Sequence, residues 1–475
     1  MHIIHITSEM TPIAKVGGLA DVITGLSRKQ KEMGHNVHIM LPKYRTLLFN
    51  HINFIEQPHS FSSFFDEKQY DNLMWKALFE RDTEILLLEP RHPKNYFDRD
   101  SIYGFKDDVE RFLYFARSCL DYLVEGGIKP DILHIHDWMA ASVAILLKEE
   151  PFKTFFASTK CVLTIHNMEY QGWTGEKEVR YTGYKGDIQP LWQNDCCNLL
   201  QGAIRAADYV VTVSPTYAKE VLHEEGSKGL LEPLQEAREG DRFSGILNGL
   251  DYSYWNPVDD PFLTHHYSRD DLEGKWENKR NILEELEMDC ESSRPLLIAV
   301  SRLVSQKGLA LLKHLVLQAE ELNMQYILLG STYDEETRAD FLALQEQYKH
   351  DRNRRVILRS EEGFAHRLYA AGDMFVVPSI FEPCGLTQMI ALRYGAVPIV
   401  RATGGLKDTV FDLENGFIFE EIKKESIEEV VQRAVDLYYH NPKEWQRLLL
   451  QGMDCNYSWG KSAKSYLDLY RSLSA

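Results

Sequence analysis

The 475-residue sequence has no long apolar run, no excess of basic charge and no paired-cysteine spacing. Each absence narrows what the chain can do. No apolar stretch approaches the roughly 20 residues that a bilayer span needs. The start, MHIIHITSEM, lacks the basic n-region of a signal peptide. These two features predict a soluble, cytoplasmic protein. The formal charge of −18 argues against nucleic acid or an anionic membrane as a partner, so any anionic ligand must be met by local cations. Seven cysteines (Cys119, Cys161, Cys196, Cys197, Cys290, Cys384, Cys455) form no C-x-x-C pair, which favours reduced thiols over a disulfide framework.

What is present is a repeated alternation of short apolar strands and amphipathic helices. In the first half, HIIHIT (2–7), NVHIML (36–41), DILHIH (131–136), CVLTIH (161–166), YVVTVS (209–214) and GILNG (245–249) read as strands. The segments starting at Ala20 and Asp107 carry helical apolar spacing. A polar, irregular stretch occupies about 251–294. The alternation then restarts at PLLIAV (295–300) and continues through YILLG, RVILRS, MFVVPS, VPIVRA and NGFIFE. Such alternation predicts parallel sheets covered by helices on both faces. The length prior and the polar break at about 250 predict two α/β domains, with ligands bound beyond the C-terminal strand ends.

The residues just after those strands carry the chemistry. EMTPIAKVGGLADV places Lys15, Gly17 and Gly18 at the first strand-to-helix corner. Glycines admit a ligand to the backbone, a helix N-terminus favours an anion, and lysine adds a point charge. Neither G-x-G-x-x-G nor G-x-x-x-x-G-K-[ST] stands there, so the corner reads equally as a tight turn with a surface lysine. Asp137 ends HIHD, and His166 and Asn167 follow CVLTI. His134 and His136 share one strand face, an arrangement open to a metal ion or to hydrogen-bonded core histidines. Arg302 and Lys307 leave one strand end together, suiting a diphosphate or a solvated basic turn. Glu382, within PSIFEPCGLTQM, has the acceptor capacity to clamp sugar hydroxyls. ATGGLKDTV supplies a second Gly-Gly corner at Gly404 and Gly405.

KVGGLADV, HIHDWMA, TIHNMEYQG, TVSPTYAKEV, GILNGLD, SRLVSQKG, FEPCGLTQM and TGGLKDTV together resemble the bacterial glycogen synthase and plant starch synthase family, in order and over nearly the whole chain. The resemblance implies a GT-B fold, with two Rossmann-like domains facing each other across a deep cleft. Residues 1–250 would form the acceptor-side domain and 251–455 the nucleotide-sugar domain. A C-terminal helix at 456–475 would cross back to the first domain. It further implies retaining transfer of glucose from a nucleotide sugar, usually ADP-glucose, to the non-reducing end of an α-1,4-glucan, with no metal and no cofactor.

By the same resemblance, Lys15, Gly17, Gly18, Arg302 and Lys307 meet the donor diphosphate, and Gly404 and Gly405 offer it backbone N–H groups. Asn248, Cys384, Gly385, Leu386 and Thr403 complete the donor site. Glu382 holds glucose hydroxyls, His166 approaches the sugar's C6 side, and Asp137 positions donor or acceptor. Tyr96, Phe97 and Tyr103 match an acceptor-lining segment, with ordinary packing as the other reading. Two positions depart from the pattern. Ile390 stands where many retaining relatives carry a ribose-binding acid, and Ser360 stands where an adenine-stacking tyrosine is common, which predicts that UDP-glucose also serves. A transferase with a small acceptor and an inactive glucan-binding scaffold are the alternatives.

Overall fold

The computed structural model describes residues 1–80 and 83–474. The chain divides into two compact units, Met1–Gly249 with Trp459–Ala475, and Leu250–Ser458. Among the described residues no helix is long and apolar enough to cross a membrane.

The first unit is built on a ten-stranded sheet. His2–Ile6 lies at its centre between Asn36–Pro42 and Ile132–His136. Lys160–Ile165, Tyr209–Thr212 and Phe243–Gly245 extend the parallel array on one side. Thr83–Pro90 joins in parallel on the other side, and Lys68–Phe79 then pairs antiparallel with it, carrying Ile52–Phe54 and His59–Phe65. The central strands are buried on both faces, which is why they read as unbroken apolar runs. The antiparallel extension alternates buried and open positions instead, and its weaker apolar signal hid it from the sequence reading. The strand expected over 245–249 is shorter and earlier. Its partner stops at Thr212, whose carbonyl takes the Ile246 N–H as a last rung, so Asn248 lies beyond the sheet.

Two helices seal one face of this sheet. Gly18–Glu32 buries Leu19, Val22, Ile23 and Leu26. Trp459–Ser474 presents Trp459, Ala463, Tyr466, Leu467 and Tyr470 as a single stripe, packed with Val22, Leu26, Ile3, Ile132 and Val162 in one cluster. At about 25 cal/mol per Å² of apolar surface, a side chain the size of Trp459 is worth several kcal/mol there.

The second unit holds a six-stranded, wholly parallel sheet in the order Arg354–Leu358, Gln325–Ser331, Leu296–Arg302, Met374–Val377, Val397–Arg401, Phe417–Phe419. Strand order turns around between Leu296–Arg302 and Met374–Val377. In the first unit it turns around between His2–Ile6 and Ile132–His136. Parallel sheets open a crevice at such points, and the candidate residues lie near both.

Candidate active site

At the first turning point, the loop after His2–Ile6 is organised by Glu9, which is 4 % exposed. Its Oε2 accepts from the Val16 and Gly17 N–H groups at 2.7 and 2.8 Å, and its Oε1 accepts from the Tyr103 hydroxyl at 2.8 Å. Ser8 Oγ, 2.7 Å from the same phenol, is left to donate to it. The carboxylate therefore fixes the Lys-Val-Gly-Gly turn from beneath. Sequence reasoning missed it, although it opens the stretch that drew attention. The Gly17 amide, expected to face a phosphate, is engaged by Glu9. Gly17 is nonetheless open: a Cβ there would meet nothing within 4 Å. Nothing in the fold demands a glycine, so its smallness leaves room for something else. Lys15 Nζ lies 2.9 Å from Asp21 Oδ1 and is partly exposed. Exchange of this partner for a phosphate is inexpensive, since exposed pairs are worth about 1 kcal/mol or less.

The next strand delivers Asp137, whose φ of +55° is a conformation that Asp tolerates better than bulkier residues. Its Oδ1 accepts from the His166 N–H at 2.7 Å, so the two residues share one corner. Burial pushes the Asp137 carboxyl up to about 7, against the pull of the backbone N–H groups of His166 and Asn167. His166 follows the adjacent strand; its Nε2 is 3.1 Å from His136 Nδ1. Asn248 is buried and its Oδ1 has no hydrogen-bond partner among the described residues.

Tyr96 and Phe97 are buried. Tyr96 is 0 % exposed, stacked on His92 and bonded to Glu110; Phe97 is 1 % exposed, packed against Tyr44 and Phe112. Their ring faces are packed in the core, with neither ring open to solvent. Tyr103 serves through its hydroxyl, on Glu9.

At the second turning point, Lys307 and Glu382 meet from neighbouring strand ends. Lys307 Nζ is 2.5 Å from Glu382 Oε2, which also accepts from Ser379 Oγ at 2.8 Å. Glu382 is 6 % exposed. Arg302 ends its strand exposed, with no ion pair among the described residues. The Cys384-Gly385 segment is held by Gln388, whose Nε2 donates to both carbonyls. Gly404 has φ +47°, and a Cβ on it would sit 1.8 Å from the Glu382 carbonyl oxygen. Gly405 donates its N–H to that same carbonyl at 3.1 Å. The second Gly-Gly therefore braces the Glu382 backbone; the Gly405 amide does not face outward to a phosphate as expected. Leu386 caps the helix Thr387–Arg393, Thr403 is buried just before Gly404, and Ile390 is core. Ser360 is exposed just past the edge strand.

Among the described residues the one trio able to offer three metal ligands is His5, His134 and His136, all buried.

Residues 2–236 match the family described as starch synthase catalytic domain, and residues 288–447 match glycosyl transferases group 1. The glycogen synthase of Protochlamydia amoebophila is 41 % identical, with all of both chains covered. The chain belongs to the glycogen synthase and starch synthase family. A probable starch synthase 4 of Arabidopsis thaliana is 40 % identical over all of this chain, which spans about half (47 %) of that longer protein. The catalytic domain of Arabidopsis starch synthase IV, solved with ADP and acarbose bound, superposes with a TM-score of 0.94 at 39 % identity, covering 100 % of this chain and 99 % of that one. Sucrose-phosphate synthase from Thermosynechococcus elongatus shares the fold alone, with a TM-score of 0.63 at 18 % identity over 99 % of this chain and 98 % of that one. The two units are thus the Rossmann-like halves of a GT-B glycosyltransferase of the hexosyl-transferring kind.

Proposed function

We propose that this chain is a cytoplasmic, metal-independent glycogen synthase. It transfers glucose from a nucleotide sugar, ADP-glucose first among them, to the non-reducing end of an α-1,4-glucan with retention. The observation that carries this reading is the pairing of Lys307 with the buried Glu382, placed where strand order turns around and beside the exposed Arg302. A diphosphate reaching this corner meets two cations, Lys307 and Arg302, which stabilise the charge left as the glycosidic bond breaks. Glu382, with Lys307 drawn towards phosphate, turns its acceptor capacity to glucose hydroxyls. Within the first unit, Lys15 offers a cation suited to phosphate, and Gly17 presents an open face. Asp137 and His166 orient the sugar, and the leaving phosphate helps to deprotonate the incoming 4-hydroxyl. The ADP in the starch synthase IV structure supports an adenine nucleotide as the donor's carrier, and acarbose supports a saccharide acceptor. Ser360 offers no ring to stack on adenine; stacking is worth about 0.5–1.5 kcal/mol, so UDP-glucose also serves, at reduced preference.

The test is incorporation of labelled glucose into glycogen from ADP-glucose and from UDP-glucose, each with EDTA. Transfer resistant to EDTA, and reduced about 100-fold or more in Glu382→Ala, is expected. Transfer to a small acceptor but not to glycogen would overturn the glucan reading. Glycogen binding with no transfer from either donor would leave a scaffold.

A further inference from the structure

Four histidines of the first unit, three of them buried, form one continuous hydrogen-bonded chain with Gln30 and Tyr470. His166 Nε2 is 3.1 Å from His136 Nδ1, His136 Nε2 is 3.0 Å from His5 Nδ1, and His5 Nε2 is 2.8 Å from Gln30 Oε1. The same amide continues the chain: Gln30 Nε2 donates to the Tyr470 hydroxyl at 3.2 Å. That hydroxyl is 2.7 Å from His134 Nδ1, and His134 Nε2 is 2.7 Å from Thr164 Oγ1. The residues come from three neighbouring strands, the helix Gly18–Glu32 and the helix Trp459–Ser474.

Such a chain has a direction. A neutral imidazole has one N–H and one bare nitrogen, so a ring with a partner on each side passes on the sense of the bond it receives. All four rings are neutral at ordinary pH. Burial brings His5 down to about 4 and His166 to about 3, and holds His134 and His136 well below the usual histidine value. With its carbonyl toward His5 and its N–H toward Tyr470, Gln30 can only accept from His5, which then carries its proton on Nε2 and offers a bare Nδ1. His136 must then donate from Nε2 and accept at Nδ1, which requires His166 to donate from Nε2. The outer nitrogen of His166, Nδ1, is left bare, and it has no partner among the described residues. A half-turn of the Gln30 amide would reverse every bond and put a proton on that atom.

We infer that Gln30 and Tyr470 are positioning residues for the sugar site: through His5 and His136 they hold His166 as the Nε2–H tautomer, with Nδ1 an acceptor for a hydroxyl of the transferred hexose. The use of Nδ1 by sugar rests on the function proposed above; the relay does not. The acceptor favours a substrate that brings a hydroxyl proton and disfavours a uronic acid carboxylate at the same place. Tyr470 sits on the helix Trp459–Ser474, so docking of that helix sets the chemistry of a side chain on another strand's end. The trio His5, His134 and His136 is thereby accounted for without a metal ion, since the facing nitrogens of His5 and His136 are satisfied by each other.

The experiment is nitrogen NMR of protein labelled in its histidine rings, with His166 assigned through His166→Gln. Wild-type His5, His134, His136 and His166 should all show a protonated Nε2 and a bare Nδ1. Tyr470→Phe keeps the ring in the helix stripe but removes the hydroxyl that accepts from the Gln30 N–H; Gln30→Met cuts the chain outright. In either folded variant the His166 signal should shift to a mixture of tautomers, and kcat should fall roughly tenfold while the donor KM changes less than about twofold. A protonated Nδ1 or a mixture in the wild type, or an unmoved His166 signal in folded Tyr470→Phe, overturns the relay. So does stoichiometric zinc uptake that displaces the His5 and His136 resonances. The sugar-facing role fails separately, if His166→Ala transfers glucose at the wild-type rate.

Discussion

Glu9 makes the Lys-Val-Gly-Gly turn a prepared surface. One carboxylate oxygen takes two backbone donors and the other a phenol, an arrangement a carboxamide cannot reproduce. Glu9→Gln must either lose a backbone bond or turn an N–H toward Tyr103. We expect a stability loss of about 1–2 kcal/mol with a larger fall in kcat/KM, checked by urea denaturation beside donor kinetics. Asp137 tests burial through pH. Its folded value of about 7 lies above that of an exposed aspartate, so between about pH 4 and pH 7 the native state keeps a proton that the unfolded chain has lost. Stability should therefore fall as pH rises through that window and level off above it. Asp137→Asn should flatten the slope and gain about 2 kcal/mol or more above pH 7, with no difference below pH 4, even as activity is lost. Melting temperatures across pH decide it.

At the scale of elements, the contact between the helices Gly18–Glu32 and Trp459–Ser474 turns on one missing side chain. A Cβ at Gly25 would fall 1.8 Å from the Trp459 indole nitrogen, and one at Gly249 would fall 2.6 Å from the Trp459 backbone. Gly25→Ala should thus cost about 1–3 kcal/mol, the usual range for overpacking, and quench less of the Trp459 emission as the indole is pushed outward. An unchanged melting temperature would refute that packing. These elements also mark what the sequence could tell. Parallel strands announce themselves as short apolar runs ending in polar residues, and Asp137, His166, Arg302, Lys307 and Glu382 were singled out for that reason. The antiparallel strands His59–Phe65 and Lys68–Phe79 alternate with solvent and carry less signal. Tyr96 and Phe97 show why an aromatic cluster cannot be assigned from spacing alone, because a core ring and a stacking platform look alike. Glu9 and Gln30 act through partners far along the chain, Tyr103 and Tyr470, that only folding brings near.

For the whole molecule, two separate cores predict departure from a single unfolding transition. Calorimetry should resolve two events, one for each compact unit. ADP at about 100 times its Kd should stabilise the event of the unit holding Arg302, Lys307 and Glu382 by about 2.7 kcal/mol. A single transition would contradict the independence of the two cores, and a shift confined to the other unit would contradict the assignment of the diphosphate. The assembly of the first unit from separated stretches of chain also bears on its birth. Residues 459–470 supply Trp459, Tyr466 and Tyr470 to a sheet whose strands were translated more than 200 residues earlier. The usual order, in which amino-terminal domains mature first on the ribosome, is inverted here. The second unit is complete at Ser458, while the first must wait, its apolar face uncovered, for the helix that closes it. A message broken before codon 459 would yield a nascent chain with every strand present and that face still bare, the kind of surface that chaperones and proteases read as unfinished.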